Sequence, residues 1–289
     1  MKKVLITGTS SGFGYLTTLT LARNGYKVWA TMRDTNGKNS HKKQEFETIA
    51  TKENLSITVA ELDITSDVSV KALSERIIKE DGSLDVLVNN AGVMYVGITE
   101  AYSLEQVQDQ FDTNFFGVIR TSKVFLPLLK KSDDGAIINF SSLAGRLVFP
   151  YFGIYCASKF ALEAYSEALK YELKQFGVDV SVIEPGPFPT GLLYSGPKED
   201  DKHTLESYGE TQNVPSAMLQ NFGEFFKTDQ APNPQEIADS VLEIIQTEKG
   251  KRPIRNVTGI DYGTIELNEK TSPIQENHIK NNLQMGHLI

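Results

Sequence analysis

The chain has 289 residues, 37 acidic against 29 basic side chains, and a formal net charge of −8. With a hydrophobic share of 40%, it can bury a large core without disulfides or a structural metal, and wholesale disorder is excluded. An acidic chain with no basic tract is a poor binder of nucleic acid. The single cysteine, Cys156, excludes a disulfide framework, and the four scattered histidines share no metal-ligand spacing.

No apolar run approaches the ~18 residues that span a bilayer. The opening run Val4, Leu5, Ile6 stops at Thr7 and Gly8, too short for a secretory core. A cytoplasmic protein without membrane contact is the expectation.

Strands are expected at Lys3–Thr7, Lys27–Met32, Ser56–Leu62, Leu84–Asn89, Ala136–Phe140, Asp179–Glu184 and Arg252–Val257. The first six are short and largely apolar, as strands buried on both faces must be. Helices are expected between them, at about 13–24, 40–52, 66–80, 103–130, 152–176 and 234–248. Ser66 fits an N-cap, Gly177 a helix stop, and Pro234 a first helical turn. Strand–helix alternation with right-handed crossovers predicts an α/β fold. Its sheet is doubly wound and mainly parallel, with helices on both faces, and the length allows one large domain or two.

The segment 186–233 breaks this pattern. It is rich in Pro and Gly and has no strand signal. Its charged tract Lys198–Lys202 reads as a solvated loop tip. Its apolar set Met218, Phe222, Phe225 and Phe226, with Phe188, Leu192, Leu193 and Tyr194, reads as a lid or as core cover. Long irregular segments of this kind are more often functional than not. The last residues, about 264–289, are polar and without periodicity, and are expected as a docked or frayed tail.

Two features carry chemistry. The first strand runs into a turn with Gly8, Ser10, Ser11, Gly12, Phe13 and Gly14, and a helix follows. Such a turn lets backbone approach a pyrophosphate, and the helix N-terminus offers free N–H groups to it. At the end of the second strand stands Arg33, 19 residues after Gly14. A guanidinium there suits the 2′-phosphate of NADP(H), favoured over NAD(H). Asp34 leaves open a ribose hydroxyl as the alternative ligand. Second, Tyr155 and Lys159 stand four apart at the start of a helix, on one face. Ser142 follows the fifth strand, and Asn114 lies in the long helix before it. The glycine turn, Asn90, Ser142 and Pro185-Gly186 fall at the carboxyl ends of strands, where open α/β sheets bind ligands. Cys156 turns to another face and reads as a packed small residue.

These motifs resemble those of the short-chain dehydrogenases/reductases. The matches are Thr7-Gly8, Gly12 and Gly14, then Asp63, Asn89-Asn90-Ala91-Gly92, Asn114, Ser142, Tyr155 with Lys159, and Pro185-Gly186 with Thr190. They stand in family order over about residues 1–190. The residues around Arg33 resemble the branch of hydroxysteroid and retinol dehydrogenases.

The resemblance implies a single Rossmann-like domain over 1–289, with a seven-stranded sheet and a nicotinamide cofactor, and no metal. It implies Tyr155 as acid and base, its pKa lowered by Lys159 and the oxidised nicotinamide. Ser142 orients the substrate oxygen, Lys159 holds the nicotinamide ribose, and Asn114 supports a water that restores the Tyr155 proton. Asp63 and Ile64 flank the adenine. Asn90, Ala91 and Gly92 line the way to the nicotinamide, and Pro185, Gly186, Phe188 and Thr190 hold its carboxamide. A hydrophobic ketone or aldehyde to be reduced, or the corresponding secondary alcohol to be oxidised, is expected against Ser142, Leu143, Tyr155 and Leu192, with Met94, Tyr95 and Phe149 as further walls. The family's helices commonly pair between subunits, so the apolar residues at 103–130 and 152–176 suggest a homodimer or homotetramer. The alternatives are an NADP-sensing regulator without chemistry, and a sugar-nucleotide epimerase or dehydratase, whose glycine spacing does not fit Gly8, Gly12 and Gly14.

Overall fold

The computed structural model describes residues 1–289. Seven strands form one sheet: β1 (Lys3–Thr7), β2 (Lys27–Met32), β3 (Ile57–Glu61), β4 (Val86–Asn89), β5 (Ala136–Phe140), β6 (Asp179–Pro185) and β7 (Arg255–Thr258). Every pairing is parallel, in the order β3-β2-β1-β4-β5-β6-β7. The order reverses between β1 and β4, which opens a crevice at the carboxyl ends of these strands.

The helices are α1 (Gly12–Arg23), α2 (Ser40–Glu53), α3 (Asp67–Asp81), α4 (Leu104–Phe111), α5 (Gly117–Leu129), α6 (Gly153–Leu173), α7 (Lys202–Ser207), α8 (Val214–Phe225), α9 (Gln235–Gln246) and α10 (Thr264–Asn277). They cover both faces of the sheet. Val4, Ile6, Val28, Val88 and Ile138 pack with Leu21, Val241 and Ile245 on the side of α1 and α9. Leu5, Trp29, Leu87 and Ile137 pack with Leu73, Ile77, Phe125 and Leu129 on the side of α3 and α5. Alternate strand residues thus enter two cores, and no position can be polar without a buried partner. No helix is long and apolar enough to cross a membrane.

The structure changes one expectation and sharpens two. The long helix at 103–130 is interrupted by a π turn at Asp112–Phe116, with Asn114 in its middle. The tract Lys198–Lys202 is exposed as expected, apart from half-buried Glu199, but it is also pinned. Glu199 accepts from the Ile98 N–H at 2.8 Å, Gln106 donates to the Lys198 carbonyl at 2.7 Å, and the Asp201 N–H donates to Ala101 at 3.0 Å. The residues from 264 onward form α10 and a further π turn, His278–Asn282, docked through buried Thr264, Asn268 and Ile279. Single-residue adjustments are smaller: Ser66 caps α3 through the Ser69 N–H as expected, while Pro234 sits at the N-cap of α9.

Candidate active site

A cavity of about 910 Å³ runs along the carboxyl ends of the strands. Its floor at one end is the turn from β1 to α1. Gly8 and Gly12 have φ of +71° and +55°, which L side chains rarely adopt. A Cβ on Gly8 would lie 2.8 Å from Ala91 Cα, so the turn and the end of β4 touch backbone to backbone. Gly14 does not line the cavity. A Cβ there would meet the Gly8 carbonyl at 2.4 Å and Asn90 Nδ2 at 2.5 Å, so this glycine is a packing requirement. Asn90 donates from Nδ2 to the carbonyls of Thr7 and Gly8 at 2.8 and 3.0 Å and thereby holds the turn's shape. Ser11 at the N-cap of α1 makes no side-chain capping bond, and the first turn has no acidic residue. The first N–H groups of α1 therefore stay free for an anion at the cavity floor, and the residues present fit a pyrophosphate.

Farther out the cavity is lined by Arg33, Lys38, His41 and Lys42 on one side and Asp63 and Ile64 on the other. Asp34 has φ of +51°, and its carboxylate accepts from the Lys38 N–H at 2.6 Å. That carboxylate thus caps its own turn. Glu61 holds the same loop by accepting from the N–H groups of Asp34 and Thr35 at 2.6 and 2.7 Å. Asp63 likewise spends an oxygen on its own turn, accepting from the N–H and hydroxyl of Thr65. Lys38, His41 and Lys42 escaped sequence reasoning, because nothing local marks the start of α2 as facing the crevice.

The middle of the cavity collects Ser142, Tyr155 and Lys159 with Asn90, Ala91 and Gly92. Ser142 stands two residues beyond the end of β5 and accepts from the Ala144 N–H at 3.1 Å, which fixes the turn Leu143–Gly145. Tyr155 and Lys159 share a face of α6, with Lys159 Nζ 5.7 Å from the phenol ring centre. Lys159 Nζ donates to the Phe140 carbonyl at 2.7 Å. Burial lowers the Lys159 pKa to about 8, with Glu163 pulling the other way. Burial raises the Tyr155 pKa, and the Ser142 hydroxyl opposes it. The expected lowering of Tyr155 is therefore not produced by the protein's own groups, where desolvation of the phenolate dominates.

Asn114 is buried behind this wall and does not line the cavity. Its Oδ1 accepts from the Val93 N–H at 2.9 Å, and its Nδ2 donates to the Val93 carbonyl at 2.8 Å and to Ser158 at 3.1 Å. The π turn supplies the offset that points the amide at Val93, a common use of such bulges.

At the far end stand Pro185, Gly186, Phe188 and Thr190, then Leu143, Leu192, Met94 and Phe149, all lining the cavity. Tyr95 does not. It packs with Tyr102 and Ile154 instead. Leu193, Met218 and Phe222 lie against Ala144, Phe152, Tyr155 and Cys156, so part of 186–233 covers the site. Phe222 and Phe226 stack on each other and reach the cavity, while Phe225 packs at a tilt against Phe226 outside it. Phe152 and Tyr262 are apolar walls absent from the sequence reading. Cys156 is buried, and desolvation raises its thiol pKa, as for an inert packed cysteine.

The family model for short chain dehydrogenase matches residues 2–200. The chain is 35% identical to a 3-ketodihydrosphingosine reductase of Bacteroides thetaiotaomicron, over 84% of this chain and 82% of that protein. It is 36% identical to retinol dehydrogenase 8 of Homo sapiens, over 91% of this chain and 83% of that protein. An alcohol dehydrogenase from Thermococcus sibiricus, solved with 5-hydroxy-NADP, superposes with a TM-score of 0.71 at 25% identity. That match covers 89% of this chain and 96% of the other. Sheet order, motif order and these likenesses agree: the chain belongs to the short chain dehydrogenase family and is an oxidoreductase acting on CH–OH groups.

Proposed function

We propose that the protein is an NADP(H)-dependent reductase of a bulky apolar ketone or aldehyde, with Tyr155 as the acid. The observation that carries this reading is the meeting of Ser142, Tyr155 and Lys159 at the wall of a cavity whose floor is the β1–α1 glycine turn. The nicotinamide, when bound, supplies the hydride.

Ser142 and Tyr155 hydrogen-bond the substrate oxygen, and Tyr155 gives its proton as negative charge develops there. Lys159, held by the Phe140 carbonyl, keeps its positive charge near the phenolate left behind and bonds the nicotinamide ribose. Asn114 fixes the Val93 backbone, and a water returns the proton to Tyr155 beside that turn. Gly8, Ser10, Ser11, Gly12 and Phe13 take the pyrophosphate, and Gly14 keeps their turn tight. Asp63 and Ile64 flank the adenine, and Pro185, Gly186, Phe188 and Thr190 the carboxamide.

NADP(H) is favoured because Arg33 and Lys38 bring positive charge to the adenine end, where Lys42 is already paired with Glu45 at 2.8 Å and Asp34 is engaged by its own turn. An apolar substrate is favoured by Met94, Leu143, Phe149, Phe152, Leu192 and Phe222 around the catalytic group. The names of the two relatives, a 3-ketodihydrosphingosine reductase and a retinol dehydrogenase, support the same class. The chain works as one catalytic domain with 186–233 as its lid. Phe116 and Phe160, 49% and 40% exposed, offer a surface for a homodimer or homotetramer. A cytoplasmic setting, with its reduced NADP pool, suits the reductive direction.

The test is titration with NADPH and NADH by nicotinamide fluorescence, then initial rates on ketones and aldehydes of increasing apolar size. Tighter NADPH binding and rates that rise with apolar size are expected. Binding of neither nucleotide overturns the reading in favour of a chain without this chemistry.

A further inference from the structure

Behind the catalytic wall lies a buried charge cluster that the mechanism above does not use. Glu163 follows Lys159 by one turn of α6, and Glu184 lies on β6; their side chains are 4% and 0% exposed. Both flank the same donor: Arg255 Nε on β7 lies 3.2 Å from Glu163 Oε2 and 3.4 Å from Glu184 Oε1. Arg255 spends its Nη2 on Glu167, at 2.7 Å, whose other oxygen accepts from the Tyr171 hydroxyl at 3.2 Å. The Oε1 atoms of Glu163 and Glu184 are buried without a well-formed hydrogen bond, and the Ser141 hydroxyl beside Glu163 only partly offsets the cost of burying its carboxyl.

The cluster continues to the C-terminal helix. Asn268 on α10 donates to Glu184 at 2.6 Å and accepts from Arg146 Nε at 2.8 Å, and Arg146 also donates to Thr271 at 2.7 Å. Arg146 closes the turn Leu143–Gly145 that follows Ser142. A Cβ on Gly145 would lie 2.5 Å from Ser141 Oγ, 2.9 Å from Glu163 Cγ and 3.1 Å from the Lys159 carbonyl, so this turn rests directly on the cluster.

Three carboxyls, on Glu163, Glu167 and Glu184, face two guanidinium groups, on Arg255 and Arg146. Lys159 on α6 is the remaining cation nearby, and its ammonium points to Phe140. An uncompensated carboxylate in such a place costs several kcal/mol by desolvation, and protonation removes that cost. We propose that Glu163 and Glu184 hold one proton between them, and that Arg146 is a positioning residue that ties α10 to the Ser142 turn through the Asn268 side chain. The positioning half of this proposal rests on the assignment of Ser142 and Tyr155 above; the shared proton does not.

Burial and the neighbouring Glu163 raise the Glu184 pKa from 4.5 to about 8, and burial raises that of Glu163. The sign follows. A carboxyl whose pKa rises on folding makes the folded state bind more protons than the unfolded one, so stability falls as pH rises through the window from about 4.5 to about 8.

The experiment measures urea unfolding at pH 6, 7 and 8 for the wild type, Glu184→Gln and Glu163→Gln, together with steady-state kinetics of Arg146→Ala and Arg146→Lys. The wild-type unfolding constant is expected to rise with pH relative to that of at least one amide variant, by up to about tenfold per unit for one proton. Parallel pH dependence of all three proteins overturns the shared proton. So does failure of both amide variants to fold, because a pair with one neutral carboxyl must tolerate an amide on at least one side. Arg146→Ala is expected to lower kcat about tenfold or more with NADPH affinity within about twofold, and Arg146→Lys to recover part of the loss. Unchanged kcat in Arg146→Ala overturns the positioning role. Full activity of Tyr155→Phe would instead sink the proposed function, while the unfolding measurement would still report on the proton.

Discussion

Lys159 donates from Nζ to the Phe140 carbonyl at 2.7 Å, which fastens the ammonium of α6 to the end of β5, the strand that leads to Ser142. One strand end thus sets the positions of two of the proposed catalytic groups. The bond also holds a charge in a buried place. With its pKa lowered to about 8, Lys159 is charged below that value and neutral above it. The rate of carbonyl reduction is therefore expected to fall as pH rises through about 8. A kcat profile from pH 6 to 10 checks this. In Lys159→Arg, whose guanidinium stays charged, the fall near pH 8 should vanish from whatever rate remains; its persistence would assign the fall to another group.

Tyr155→Phe removes one oxygen from a buried ring and leaves the packing with Ala144, Phe152 and Cys156 in place. Turnover should drop by about 10²–10⁴, the usual contribution of a positioned acid. NADPH binding should stay within about twofold by fluorescence titration. Turnover near wild type would remove Tyr155 from the proton transfer.

Arg33→Ala should weaken NADPH about tenfold to a hundredfold, the worth of charge-assisted bonds to a phosphate, and leave NADH unchanged. The comparison of the two dissociation constants reads the effect directly. Equal weakening of both would mean that Arg33 shapes the loop rather than meeting a 2′-phosphate.

Gly14→Ala should destabilise by about 1–3 kcal/mol, since its Cβ would press on the Gly8 carbonyl and Asn90 Nδ2, neither of which can yield without opening the turn. Gly191→Ala is the control: nothing lies within 4 Å of a Cβ there, and little change is expected. Urea midpoints of both variants decide the matter, and equal midpoints would contradict the packing role of Gly14.

Phe222→Ala opens the lid where it meets Phe152 and Tyr155. The lost apolar burial should raise KM for a long-chain ketone about tenfold or more, with little effect on a three- or four-carbon ketone. A uniform change across substrate sizes would mean that Phe222 merely covers the core.

Much of the site could be read in the sequence because its parts are local. The glycine turn is a strand-to-helix junction, and Tyr155 with Lys159 needs only one turn of helix to share a face. The strands were legible because burial on both faces demands unbroken apolar runs such as Val86-Leu87-Val88. The helix over 264–277 was not legible. Its stability comes from docking, through Asn268 on Glu184 and Arg146 on Thr271, and only Thr264 and Asn268 of its residues are buried, so no apolar stripe announces it.

By itself, then, the sequence determined the fold class and the order of the seven strands, because each strand shows in the period of a short stretch, while Ser142, Tyr155 and Lys159 stood out only as part of an ordered set of motifs that resembles a family. The tertiary structure decided what distance along the chain conceals. It turned the Asn114 amide onto Val93 by a π turn and the Asp34 carboxylate onto its own loop. It brought Lys38 and Lys42 to the cavity with Arg33, pinned Glu199 to Ile98, and packed Glu163, Glu184 and Arg255 from three separate elements into one buried cluster. Such contacts are set by how helices pack over a finished sheet, and long-range packing leaves no periodic trace in the chain.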